Sequence, residues 1–113
     1  MTLLNLIIPN NNNIEYQDSM INLKIKGPGK SDILSPSFND NYRPSLIIIN
    51  GIPKNYYSHN YRHNFNMEIN TVELIWYNKI YDCESMFRQC SNITEIDFTN
   101  FDTSRVTSMS HMF

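Results

Sequence analysis

From Met20 to Lys26 the chain alternates, with Ile21, Leu23 and Ile25 on one face and Asn22, Lys24 and Lys26 on the other. A period of two predicts a strand with one face against a core. "GPGK" (Gly27 to Lys30) follows, and Gly and Pro there predict a hairpin turn. "SLIIINGIP" reads as a strand that reverses at Asn50-Gly51, a strong short hairpin signal. Residues 53–68, rich in aromatics and without a period, read as an irregular loop. Alternation returns over 69–77, with Val72, Leu74 and Trp76 on one side. The first two-thirds of the chain is therefore expected to be β.

At residue 79 the spacing changes. Cys83, Met86, Phe87 and Cys90 lie at i, i+3, i+4 and i+7, which predicts one face of a helix. A short strand is expected in "NITEIDF", with Ile96 and Phe98 on one face. Val106, Met109, Met112 and Phe113 then form a second stripe of helical spacing. The two stripes superpose at an offset of 26: Ile80 on Val106, Cys83 on Met109, Met86-Phe87 on Met112-Phe113. A fixed period of 20–50 residues is the mark of stacked units, each too small to bury its apolar face alone.

The stretch "MFRQCSNITEIDFTNFDTSRVTSMSHMF" resembles the 26-residue repeat of BspA-like leucine-rich-repeat surface proteins. That repeat reads roughly M-F-x-x-C-x-x-L-x-x-[IL]-D-[LF]-[ST]-N-F-D-T-S-x-V-T-x-M-x-x-M-F. Met86, Phe87, Cys90, Ile93, Ile96, Asp97, Phe98, Thr99, Asn100 and Phe101 fit it in order, followed by Asp102, Thr103, Ser104, Val106, Thr107, Met109, Met112 and Phe113. The likeness covers about the last 35 residues and extends more loosely to the β region before them.

The resemblance implies a solenoid on a cell surface or in a secreted protein, meeting a protein or cell-surface ligand, with no catalytic residue and no cofactor. The expected fold is α+β, an antiparallel β region followed by the start of a strand-helix solenoid. Its divisions are an irregular polar segment at 1–13, a β domain or cap at 14–78, and the first repeat with the start of a second at 79–113. With little more than one unit present, the chain reads as truncated, and Val106, Met109, Met112 and Phe113 are expected to be partly exposed. The alternative role is that of a purely structural cap.

Composition narrows the partners. Charged residues make up 18% and the net charge is −2, with Lys and Arg scattered singly, so nothing forms the basic footprint of a nucleic-acid binder. Asn occurs 17 times, Ile 15 times and Ala not at all, a bias to which no function attaches. The apolar run from Leu3 to Ile8 is far short of the ~20 residues a membrane span needs, and it lacks the basic region and cleavage site of a secretory signal.

Candidate chemistry is sparse, and no catalytic, cofactor-binding or metal-binding residue is assigned. Gly29-Lys30-Ser31 looks like the end of a phosphate loop, but Lys24 stands where the first glycine belongs and no helix pattern follows. His59 and His63 have a metal-ligand spacing only if the segment is helical, which its pattern does not support. Cys83 and Cys90, seven apart on a helix, would be separated by ~10 Å of rise, beyond disulfide reach, so two free core thiols are expected. Asn92-Ile93-Thr94 is a glycosylation sequon. Asp97 and Asp102 read as turn-forming carboxylates, with Asp102 or Thr103 a candidate helix cap. Tyr56, Tyr57 and Tyr61, with Arg62 and Phe65, have the composition of a binding hot spot, but packing onto the sheet is favoured.

Overall fold

The computed structural model describes residues 4–8, 18–56 and 60–113. Its strands in chain order are β1 (Asn5–Ile7), β2 (Ser19–Lys26), β3 (Gly29–Asp32), β4 (Leu46–Ile49), β5 (Ile52–Lys54), β6 (Arg62–Phe65), β7 (Ile69–Trp76) and β8 (Ile93–Asp97). Six of them form one sheet in the order β1-β8-β2-β7-β4-β5, and β3 pairs with β6 in a second, two-stranded sheet. Among the pairings of these named strands, only β1–β8 is parallel.

The alternating segments become the centre of the large sheet. β2 and β7 pair antiparallel over eight residues, Ser19 opposite Trp76 through Lys26 opposite Ile69. That register places Ile21, Leu23 and Ile25 on one face with Val72, Leu74 and Trp76, all buried. Asn50 (φ +49°) and Gly51 (φ +81°) form the expected hairpin turn between β4 and β5, since both central residues of such a turn need positive φ. The Asn50 side chain fixes the corner to β7, accepting from the Thr71 N–H at 2.9 Å and donating to Asn70 at 3.0 Å.

Two local expectations are corrected. "GPGK" is not a hairpin turn: it carries the chain off the large sheet into β3, which pairs with β6 rather than β2. Gly27 is required there by crowding, because a Cβ would run into the Met67 carbonyl oxygen and sit 2.8 Å from Asn70 Nδ2. Residues 53–68 are not wholly irregular either, as they contain part of β5 and all of β6. The expected irregular segment at 1–13 likewise contains β1.

The α+β expectation is overturned: the fold is nearly all β, a mixed sheet with one short 3₁₀ turn at Asp40–Tyr42 and no α-helix among the described residues. Residues 84–89 are successive turns. Met86, Arg88 and Cys90 donate their N–H groups to Cys83, Ser85 and Phe87, three residues back rather than four. Ser85 (φ +61°) and Gln89 (φ +63°) are left-handed, a conformation that ends a right-handed helix each time it is met. A chain of turns still returns residues three apart to the core, so Ile80, Cys83 and Met86 are buried without a helix, and Phe87 beside them is buried too.

The core is one cluster. Inward residues of the large sheet meet the smaller sheet through Phe65, and meet the loops and turns through Ile33, Phe38, Tyr61, Ile80 and Met86. Trp76 packs its ring 5.6 Å from Phe101 and donates its indole N–H to the Tyr42 carbonyl at 2.6 Å. β8, beyond the expected boundary at residue 79, is hydrogen-bonded into the same sheet through β2. No helix among the described residues is long and apolar enough to cross a membrane.

Candidate interaction surface

The segments 80–87 and 106–113 lie side by side, and the internal bonds of the first recur in the second at the offset of the two stripes. The Met86 N–H donates to the Cys83 carbonyl at 3.2 Å, and the Met112 N–H donates to the Met109 carbonyl at 3.3 Å. The Glu84 N–H donates to Asp82 Oδ1 at 2.8 Å, and the Ser110 N–H donates to Ser108 Oγ at 3.4 Å. Ser85 (φ +61°) and His111 (φ +53°) are the matching left-handed residues. The rings of Phe87 and Phe113 stack, with centroids 6.5 Å apart and planes 19° apart.

Backbone bonds also join one segment to the other. The N–H groups of Cys83, Ser85 and Phe87 donate to the carbonyls of Ser108, Ser110 and Met112 at 2.9, 3.0 and 2.8 Å. Thr107 closes the near end by donating its N–H to the Tyr81 carbonyl at 2.8 Å. Alternate donors on one segment facing alternate acceptors on the next, in the same direction, make a parallel ladder. The 26-residue period is thus a physical stacking distance along the chain, realised in turns instead of helices.

Of the four residues expected at an open end, Val106 is half-buried, and Met109 (47%) and Phe113 (56%) are exposed. Met112 is buried, which corrects that expectation: its side chain joins the core cluster.

The outward face of the large sheet is continuous and mixed, with polar side chains in its middle rows and an apolar row of Met20, Ile75 and Leu46 beside them. Paired residues of neighbouring strands project to the same side. One row therefore runs Ile7, Asp97, Asn22, Glu73, Ile48, and the next runs Asn5, Glu95, Lys24, Thr71. Lys24 Nζ lies 3.5 Å from Glu95 Oε2 across the strands. This face extends from β4 to β1 and includes the strand of the repeat unit.

The chemical candidates resolve into structural roles. Gly29, Lys30 and Ser31 belong to β3, and Ser31 Oγ accepts from Asn92 Nδ2 at 2.6 Å. That bond engages the acceptor nitrogen of the sequon, although Asn92 itself is exposed. His59 and Tyr57 lie outside the described residues. His63, on β6, has Nδ1 2.9 Å from Tyr56 Oη, and burial followed by the Lys54 charge lowers its pKa, so the imidazole is neutral at pH 7. No group of three or more metal-binding side chains occurs among the described residues.

Cys83 and Cys90 are both free. Burial first, then the charges of Asp82 and Asp32 respectively, pushes each thiol up to about 12, so neither is a ready thiolate nucleophile. Tyr61 is buried and donates to Asp40 Oδ1 at 2.7 Å, while Arg62 is exposed and lies 3.6 Å from Asp32. Asp97 and Asp102 each hold a turn N–H two residues on, Thr99 and Ser104, both at 2.9 Å. Asp102 caps a turn, not the expected helix. Hydrogen bonds from Lys79 and Ser104 hold its carboxyl down at about 2.

No family model, curated protein or solved structure matches the chain. The sequence signal for the stack was its 26-residue offset. Nothing comparable announced the outward sheet face, because its rows exist only once the strand order is known.

Proposed function

We propose that this chain is a non-enzymatic interaction protein of a cell surface or of a secreted molecule, related to the BspA-like repeat proteins. Its sheet is the foundation on which 26-residue units stack, and a protein or cell-surface ligand is met across the stacked surface. One observation carries the reading: β8, the strand of the repeat unit, is bonded into the sheet by β2, while the turns flanking it stack in register, one period apart. Polar side chains of the foundation and of the unit thereby form one surface, to which each further unit adds. The residues quoted for the 26-residue pattern support the surface role.

A second reading is favoured by the same β2–β8 pairing: the sheet seals one end of the stack and has no ligand of its own. Substitutions on the outward face separate the two. The chain and its Lys24→Glu and Glu73→Lys variants are titrated against immobilised extracellular-matrix protein and against whole cells. Saturable binding that falls at least tenfold in either variant supports the ligand surface. Equal binding by all three, or none by the parent, leaves the sealing role alone.

A further inference from the structure

Of the chain's 17 asparagines, only Asn50 is followed by glycine. The side-chain carbonyl carbon of an asparagine is open to attack by the backbone nitrogen of the next residue. Glycine favours that ring closure because no Cβ obstructs the approach. Gly51 is exposed, and a Cβ built on it would meet nothing within 4 Å, so water reaches the turn freely. Composition and exposure thus mark Asn50-Gly51 for spontaneous imide formation, but the fold sets a condition on it. With φ of +49° and +81°, the pair has the left-handed form of a two-residue hairpin turn, in which the first residue has ψ of about +30°. At that angle Cβ and the Gly51 nitrogen lie on nearly opposite sides of the Asn50 Cα–C bond. Ring closure needs them on the same side, so the folded turn holds the two reacting atoms apart.

Three hydrogen bonds to β7 keep it there. Asn50 Oδ1 accepts from the Thr71 N–H at 2.9 Å, Asn50 Nδ2 donates to Asn70 Oδ1 at 3.0 Å, and the Asn50 N–H donates to the Thr71 carbonyl at 2.8 Å. Asn70 is fully buried and equally committed, its Nδ2 donating to the carbonyls of Ile25 and Met67 at 3.2 and 2.8 Å. A backbone donor therefore fixes which way the Asn50 amide points, and two carbonyl acceptors fix that of Asn70. Where the two side chains meet, a donor faces an acceptor, and neither amide turns over without losing bonds elsewhere.

We propose that Asn50 is a self-modification site, closed while the β4–β5 corner is folded and reactive when it opens, whose product cannot rebuild the corner. This goes beyond the functional reading and rests on no part of it. In the open corner the Gly51 nitrogen forms a bond to Asn50 Cγ, the Cγ–Nδ2 bond breaks, and the Gly51 proton leaves with Nδ2 as ammonia. Water then adds to one or the other carbonyl of the imide, and the ring opens. One product is aspartate in place of Asn50, which sets a carboxylate oxygen against Asn70 Oδ1. Acceptor then faces acceptor, and the buried Asn70 carbonyl loses its donor. The other product carries the main chain through Cγ, which adds one carbon to a two-residue turn whose geometry has no room for it.

The full chain is held at mildly alkaline pH, folded in one sample and in concentrated urea in another, and its peptides are mapped by mass over time. Conversion is expected at Asn50 ahead of every other asparagine, and at least tenfold faster in urea than in the folded chain. Equal rates in the two samples overturn the closed corner. No conversion in urea, or another asparagine converting first, overturns the site. The converted chain is then separated from the parent by its added negative charge, and hydrogen exchange is compared. Its backbone amides at positions 50 and 71 should exchange at least tenfold faster than the parent's, while those of β2 are unchanged. Asn50→Asp, made directly, should exchange as the converted chain does. Exchange as slow as the parent's in the converted chain or in Asn50→Asp shows that the corner is rebuilt and overturns that part of the proposal. Because the converted chain comes from parent that had already folded, a failure of Asn50→Asp to fold leaves this comparison intact.

Discussion

The β2–β7 pair and the β1–β8 pair sit in the same sheet and are held in opposite ways. β2 and β7 face each other over eight residues, and each has a further strand on its other side. Their inward side chains Ile21, Ile25, Val72 and Leu74 have no exposed surface. β1 meets β8 over three residues, has no strand beyond it among the described residues, and leaves Leu6 44% and Ile7 40% exposed. Opening of a segment costs free energy in proportion to what it buries and how its backbone is bonded. The sheet is therefore graded, fixed at its centre and yielding at the β1 edge.

The centre should show the largest mutational effect. Leu74→Ala removes a fully buried side chain from between Ile21 and Ile47, its partners on the neighbouring strands. Denaturant titration should give a loss of about 2–5 kcal/mol. A loss below about 1 kcal/mol would mean that the centre yields as readily as the edge. Gly27→Ala comes next. The new methyl would press on the Met67 carbonyl and on Asn70, whose amide donates to Ile25 and Met67 carbonyls at 3.2 and 2.8 Å. Overpacking of that kind costs about 1–3 kcal/mol. An alanine variant as stable as the parent would show that this end of β2 is loose.

The same contrast explains what the sequence disclosed. β2 and β7 were legible because alternation has a single physical cause, one face buried and one wet, and β4, an unbroken apolar run, was legible from the Asn50-Gly51 turn that ends it. β1 was not, since a three-residue strand carries no period and its pairing depends on a partner near the other end of the chain. The stripes at 80–87 and 106–113 were seen, but a spacing of three is shared by a helical face and a succession of turns. The discriminating residues are Ser85, Gln89 and His111, none of them the Gly or Asn that usually announces positive φ. The surrounding Asp, Ser, Thr and Asn did carry the signal, as residues that bond their own backbone and so favour turns over helix. Asp82, Asp97, Asp102 and Ser108 all do so. The 26-residue offset needed no such discrimination and was readable directly.

A smaller effect is expected where the stack joins the sheet. Asp102 accepts from Lys79 Nζ at 2.7 Å, and its own N–H donates to Ser19 Oγ at 2.8 Å. Its folded-state pKa of about 2 lies below the ordinary value of 3.8. A depressed carboxylate stabilises the fold above its unfolded pKa, and that contribution is lost as pH falls from about 4 toward 2. Because the pair is partly exposed, solvent screening holds the contribution below about 1 kcal/mol. Asp102→Asn should lower stability slightly at pH 7 and flatten its fall over this acid range. An unchanged acid profile would show that the carboxylate does not tie the turn to the sheet.

The smallest effect belongs to β1 itself. Leu6 lies beside Ile96 in the parallel pair but remains 44% exposed, so truncation creates no closed cavity. Leu6→Ala should change global stability by less than about 0.5 kcal/mol. Local opening should respond more: amides of Asn5–Ile7 in the parent should exchange far faster than those of β2, and faster still in Leu6→Ala. The two readouts test the gradient from both sides. A global loss comparable to that of Leu74→Ala would make β1 part of the core structure. Exchange in β1 as slow as in β2 would make the edge as closed as the centre. If neither is seen, β1 is the strand the sheet can release without unfolding.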